Sequence, residues 1–150
     1  MTPVDNRLAA ALALLGGGLA AAGTNLTWVK ISVDGRSGPG SLATGLDGRD
    51  GRTVLVVGLL AVLVGLALLI GRGDGRLKPA LWVTGGITTV IAVVAIADVE
   101  AKAGLLEKRF GVPSDSVAAS VGAGLWLVAL GGASMLVAGL FARRDASAPP

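Results

Sequence analysis

The side chains that could do chemistry in this chain are few and widely spaced. Asp47 and Asp50 flank Arg49 in the run DGRDG, which has the look of a calcium loop. A calcium loop needs oxygen ligands at alternate positions and a bidentate Glu further on, and neither follows here. Asp98 sits one helical turn before Lys102, and Thr84, Thr88 and Thr89 are the only polar groups in an apolar stretch around them. A proton-coupled transporter wants a carboxylate inside the membrane. Asp98 is the nearest, at the outer edge of its span. No two acids are spaced as a general acid and base would be. Thr84 and Thr88 share a helix face, and their hydroxyls either line a polar path or return to the carbonyl one turn back.

Whole classes of reaction are excluded by composition. The chain has no His, no Cys and no Tyr. There is no imidazole for a haem, an HExxH zinc site or a Ser-His-Asp triad. There is no thiol for disulfide exchange. No catalytic residue, cofactor or metal ligand is expected.

The elements that must position these groups are membrane spans. The 150 residues are 53% hydrophobic and 15% charged, with a formal charge of +3. Mean hydropathy is +0.74 and the pI is about 10.0. The basic residues flank apolar runs and form no stripe interleaved with aromatics, so nucleic acid is not an expected partner. Uncharged runs extend from Leu8 to Val29, Thr53 to Gly71, Pro79 to Ala97 and Ser116 to Ala142. A charge at the centre of a span costs about 2.5–3.5 kcal/mol, which accounts for four runs without one. One integral membrane domain over 1–150 is predicted. Its spans are about 8–28, 53–71, 79–101 and 116–142, its outer loops 29–52 and 102–115, and its tail 143–150. The first span, with an Ala/Leu core and small residues around Ala20 to Gly23, has a rival reading as a signal peptide, but Asp5 offsets Arg7, and a retained helix is expected.

Orientation follows from the basic residues. Arg7, Arg72, Arg76, Lys78, Arg143 and Arg144 lie with only three acids on one side, whereas bases and acids balance on the other. The positive-inside rule places both termini in the cytoplasm of a plasma-membrane protein. There the RGD at Arg72 to Asp74 is out of reach of an extracellular receptor. The Asn25–Thr27 sequon lies too close to the membrane for glycosylation.

Outside the membrane, WVKISV at Trp28 to Val33 alternates as a strand does, and Asp34-Gly35 starts a turn. Ser41 to Leu46 can return as a second strand. The predicted fold is thus an all-α transmembrane four-helix bundle with a small extracytoplasmic β-hairpin or sheet as a cap. A lone hairpin is marginal in water, so the second outer loop is expected to support it. There the third helix is expected to stop at Gly104, leaving LLEKRF as an interfacial piece with Leu105, Leu106 and Phe110 on its apolar side.

Helices in lipid associate through close packing of small residues. Gly16, Ala20, Gly122 and Gly124, like Gly18 and Ala22, mark expected contacts between the first and fourth helices or, alternatively, an intermolecular seam. Trp28 and Trp82 are read as interface anchors. Trp126, 11 residues past Asp115, would lie about 16 Å into its span, as a packing element or a contact to another subunit. Trp28, Ile31, Leu105, Leu106, Phe110 and Trp126 are the candidate interaction residues.

Three segments carry a resemblance: TWV at 27–29, TGLDGRDG at 44–51 and GAGLWLVALGG at 122–132. Together they resemble small four-helix membrane proteins of actinobacteria, of the tryptophan-operon-associated type, over most of the chain. The resemblance implies topology and no activity. Four spans with both ends inside, a large first outer loop and a Trp closing the first helix are also similar to a claudin layout, although the one GLW here lies at 124–126. The expected function is a non-enzymatic accessory or scaffold subunit of a cell-envelope complex, in contact with lipid and with other membrane subunits or itself. The alternative is a small transporter or lipid-handling protein with a polar cavity near Asp98 and the threonines.

Overall fold

The computed structural model describes residues 3–33, 42–71, 77–110 and 117–141. Four helices carry the architecture: α1 (Pro3–Thr24), α2 (Arg49–Leu69), α3 (Leu77–Phe110) and α4 (Ala123–Phe141). Each holds a segment long and apolar enough to cross a membrane. Three strands, β1 (Thr27–Val33), β2 (Leu42–Thr44) and β3 (Val117–Val121), form one antiparallel sheet in the order β2-β1-β3. A 3-10 turn at Gly45–Asp47 links β2 to α2.

The helices run alternately up and down. α1 packs against both α2 and α4; α3 packs against α4 and less extensively against α2. Glycine sets how near they come. A Cβ built on Gly16 would lie 2.7 Å from the Gly131 carbonyl, and one on Gly23 would lie 2.7 Å from the Gly124 carbonyl. The α1–α4 seam is therefore close to backbone-on-backbone. Gly17 meets Gly58 in the same way, and Gly65 receives Leu14, so α2 is held to α1 as tightly as α4 is. Such contacts replace the hydrophobic drive that lipid cannot supply.

The expected boundaries move in three places. The first span does not reach residue 28. The Asn25 and Leu26 amides donate to Ala22 and Gly23 at 3.1 and 3.2 Å, the tightened last turn of a helix end. Thr24 Oγ1 and Asn25 Nδ2 both donate to the Ala21 carbonyl, at 2.7 and 3.2 Å, and the chain leaves as β1. The fourth span does not start at Ser116. Val117 to Val121 is β3, paired with β1 from Val29↔Val121 to Val33↔Val117. The hairpin is thus supported by a strand from a segment read as membrane helix, not by the second loop. An uncharged strand and an uncharged helix look alike when only charges are counted. Finally, Gly104 does not end α3, which continues through LLEKRF to Phe110 over 34 residues, about 51 Å. One interior glycine costs a helix only about 1 kcal/mol. The turn expected at Asp34-Gly35 lies outside the described residues.

The threonines of α3 divide. Thr84 Oγ1 donates to the Ala80 carbonyl at 2.8 Å, the return bond one turn back. Thr88 is fully buried, and neither its hydroxyl nor that of Thr89 has a hydrogen-bond partner among the described residues. An unpaired buried hydroxyl carries its desolvation cost unrelieved, about 1–3 kcal/mol. Thr88→Val removes that cost at nearly the same volume. It is expected to raise the thermal midpoint in detergent, whereas Thr84→Val is expected to leave it level or lower it.

Candidate functional site

The region where charged and apolar groups meet is the end of the bundle that carries the sheet. Its organiser is Trp28. Sequence alternation puts Trp28 on the same face as Lys30, yet Trp28 is only 7% exposed and Lys30 is on the surface. A β-bulge explains the difference. The β1–β2 register shifts between Thr27, opposite Thr44, and Val29, opposite Ala43, and the extra residue is Trp28. A bulge bends the strand and re-aims one side chain. Here it turns the indole into the bundle, where Nε1 donates to the Gly23 carbonyl at 2.9 Å. Trp28 is therefore not a lipid-interface anchor, and its side chain is withdrawn from any partner.

Three glycines make room for this ring and its strand. A Cβ on Gly45 would come within 2.5 Å of the indole, and one on Gly124 within 2.8 Å of its Cδ1. Gly122 donates its amide to the Trp28 carbonyl at 2.7 Å and lies against the Thr27 carbonyl. Gly122 is thus a strand-to-helix joint and not a contact between the first and fourth helices, because α4 starts one residue later. Gly16, Ala20 and Gly124 do sit in the α1–α4 seam. Gly51, at the start of α2, packs on the Gly45 carbonyl. Gly17, Gly23, Gly45, Gly51, Gly58 and Gly131 were not picked out by spacing. In a chain with 24 glycines, spacing alone does not separate the crowded ones from the free ones.

Beside Trp28, between the 3-10 turn, the start of α2 and α3, is a cavity of about 310 Å³. Val94, Val99 and Leu125 form its apolar wall, and Asp47, Asp50 and Asp98 its polar one. Asp98 therefore borders the same space as the DGRDG run. Among the described residues no three His, Cys, Asp or Glu converge closely enough to hold a metal ion.

Asp47 belongs to the turn before it to the cavity. Its Oδ2 accepts from the Thr44 amide at 2.7 Å and from Thr44 Oγ1 at 2.8 Å. The bond from the Thr44 amide, then that from the Thr44 hydroxyl, lower its pKa below the ordinary 3.8; slight burial works against them and Arg52 with them. A carboxyl whose folded pKa is depressed adds stability that is complete above its unfolded pKa and disappears as pH falls through the folded value. Stability in detergent is thus expected to have an Asp47 contribution that is constant at neutral pH and fades below 3.8. Asp47→Asn removes that part of the acid dependence, which thermal melts across the acid range measure.

The other candidates separate. Trp126 is 57% exposed and Trp82 42% exposed. With α4 starting at Ala123, Trp126 lies in its first turn. Trp82 packs on Gly139, thirteen residues further along α4, or about 20 Å. Helical side chains lean toward the N-terminus, so these two rings diverge toward opposite ends of the bundle. Ile31 lies on β1 opposite Ala119, and Leu105, Leu106 and Phe110 lie on the length of α3 beyond Asp98. On the outward side of the sheet, Lys30 and Ser120 are exposed and paired across β1 and β3. Alternation set Lys30 apart from Val29 and Ile31, whereas Ser120 lies in a run whose lack of charge reads as membrane helix. No protein-family model matches this chain, and no curated protein is detectably similar to it.

Proposed function

We propose that the chain is a multi-pass plasma-membrane protein, with both termini cytoplasmic and the sheet on the outer face. On this reading it works without catalysis, as an accessory or scaffold subunit of a cell-envelope complex. It then sits among the small four-helix membrane proteins that its TWV, TGLDGRDG and GAGLWLVALGG segments resemble. The observation that carries the proposal is the seating of the sheet. The consecutive strands β1 and β2 and the distant β3 are knitted into one layer and pinned to the bundle through Trp28. A layer so held presents Lys30 and Ser120 at a constant height over apolar spans. Rigid presentation lowers the ordering cost of docking. Exposed Trp126 adds to the available surface, and on this reading Leu105, Leu106 and Phe110, on the length of α3 beyond Asp98, remain candidates for the same docking.

Purification in mild detergent is expected to bring down one stoichiometric membrane companion, released by Lys30→Glu combined with Ser120→Arg. A monomer without a companion sinks the scaffold reading. Cysteines introduced at Ser37 and Ser147 are expected to react from opposite faces of the membrane, and reaction from one face sinks the topology. The cavity beside Asp98 favours a second reading, a small transporter or lipid-handling protein. That reading predicts a substrate-dependent effect of Asp98→Asn on flux in reconstituted vesicles.

A further inference from the structure

The seams of the bundle are not equally close. β1 follows α1 almost at once, β2 runs through the 3-10 turn into α2, and β3 runs through Gly122 into α4. The sheet therefore ties three helix ends together, whereas residues 111–116 separate α3 from β3. Glycines also lock α1 to α4 and to α2 at backbone distance. α3 is locked in this way to α4 alone. A Cβ on Gly85 would lie 2.9 Å from the Leu136 amide nitrogen, one on Gly132 2.9 Å from the Thr89 amide nitrogen, and one on Gly139 2.9 Å from Trp82. No described glycine has its nearest neighbours across the α2–α3 seam.

That seam is the looser one, and it is hollow toward both ends. Toward the sheet lies the cavity of about 310 Å³ beside Asp98. Away from the sheet lies a second, of about 390 Å³, between Leu63 and Ala67 of α2 and Ala80 and Val83 of α3. α3 also carries Thr88 and Thr89, the two buried hydroxyls without a hydrogen-bond partner among the described residues. An unsatisfied buried group in a folded chain calls for an explanation, and a second state that relieves it is one. Moving α3 away from α2 gives the Thr88 hydroxyl room to turn to the carbonyl one turn back, the bond that Thr84 already makes.

We propose that α3 is the moving wall of the bundle. It tilts about its glycine contacts with α4 and opens the α2–α3 seam sideways, joining the two cavities. The glycine seams and the sheet keep α1, α2 and α4 as one body, so the motion is a hinge of one helix and not a loosening of the whole. Openings of this kind draw on the parts of a structure with the fewest packed contacts. The inference rests on the membrane reading above only in that lipid borders the opened seam.

The chain has no cysteine, so a single introduced thiol reports alone. Thr88 on α3 and Val128 in the α1–α4 seam are both fully buried. In nanodiscs, Thr88→Cys is expected to react with N-ethylmaleimide about tenfold faster than Val128→Cys, because α3 opens more often. Equal rates overturn the proposal. Spin labels on exposed positions give a second measurement that leaves the core untouched. Labels on Leu59→Cys of α2 and Val90→Cys of α3 are expected to show two separations by double electron–electron resonance, and labels on Leu15→Cys of α1 and Leu130→Cys of α4 only one. Adding Thr88→Val, which removes the unpaired hydroxyl, is expected to shift the α2–α3 pair toward the shorter separation. A single α2–α3 separation as narrow as that of α1–α4 overturns the proposal while leaving the membrane reading intact. A chain that stays in solution and does not enter nanodiscs overturns both.

Discussion

Trp28→Ala is expected to cost about 3–5 kcal/mol of stability, the range for truncating a buried large aromatic. Two losses combine. The indole is only 7% exposed and belongs to the cluster of Val54, Val99, Leu125 and Val128 at the sheet end of the bundle. The surrounding backbone cannot collapse into the space left, because Gly23, Gly45 and Gly124 are already held by helix and turn. The Gly23 carbonyl also loses its indole donor at 2.9 Å. Trp28→Phe separates the two losses. It keeps most of the apolar volume and forfeits the hydrogen bond, so about 1–3 kcal/mol is expected. Trp126→Ala is the control. That ring is 57% exposed, and a surface substitution normally stays within about 0.5 kcal/mol. Reversible unfolding in mixed micelles, followed by circular dichroism, ranks the three. Equal effects at Trp28 and Trp126 would contradict the buried-indole geometry.

Gly16→Leu and Gly18→Leu are expected to have opposite effects on stability. Both glycines stand four residues before an alanine, Ala20 and Ala22, and both read as small-residue contacts. A Cβ on Gly16 meets the Gly131 carbonyl at 2.7 Å, Met135 Cγ at 3.0 Å and the Met135 amide nitrogen at 3.1 Å. Two of these are backbone atoms of a helix and cannot step aside. The α1–α4 seam must part, exposing the contacts that replace hydrophobic drive between the helices. Overpacking alone costs about 1–3 kcal/mol, and separating the seam adds to it, so loss of the folded bundle is expected. A Cβ on Gly18 meets nothing within 4 Å. There a larger side chain removes glycine's helix penalty of about 1 kcal/mol, and stability is expected to hold or rise. Thermal melts in detergent decide it. A tolerated Gly16→Leu would mean that α1 and α4 are not in backbone contact.

The two glycines illustrate the limit of spacing as a guide. A helix in water shows which face is inward, because the other face is polar. A helix surrounded by lipid is apolar on every side, so its pattern carries little direction. Spacing marked Gly16 and Gly18 alike, and only the packed bundle turns one inward and the other out. Gly17 and Gly58 were passed over for the same reason, although they bring α1 and α2 as close as Gly16 and Gly131 bring α1 and α4.

The strands show a related limit. Alternation from Trp28 to Val33 was enough to recognise β1, and Leu42 to Thr44 returns beside it as expected. Val117 to Val121 also alternates, yet it lies in an uncharged run that continues into α4. Its state is decided by the hydrogen bonds that β1 leaves open, a property of two segments almost ninety residues apart. The bulge at Trp28 is likewise a matter of register between strands, and it reverses the side chain that alternation had assigned.

What the sequence determined by itself is the number of apolar helices and the absence of imidazole and thiol chemistry, since both depend only on which residues are present and how far apart charges fall. Tertiary structure decided where α1 ends, that β3 precedes α4, that Trp28 is buried while Trp126 is exposed, and which glycines carry the seams. Each of these depends on whether another segment supplies a hydrogen bond or occupies the space of a missing Cβ, and neither is a property of a residue and its neighbours in the chain.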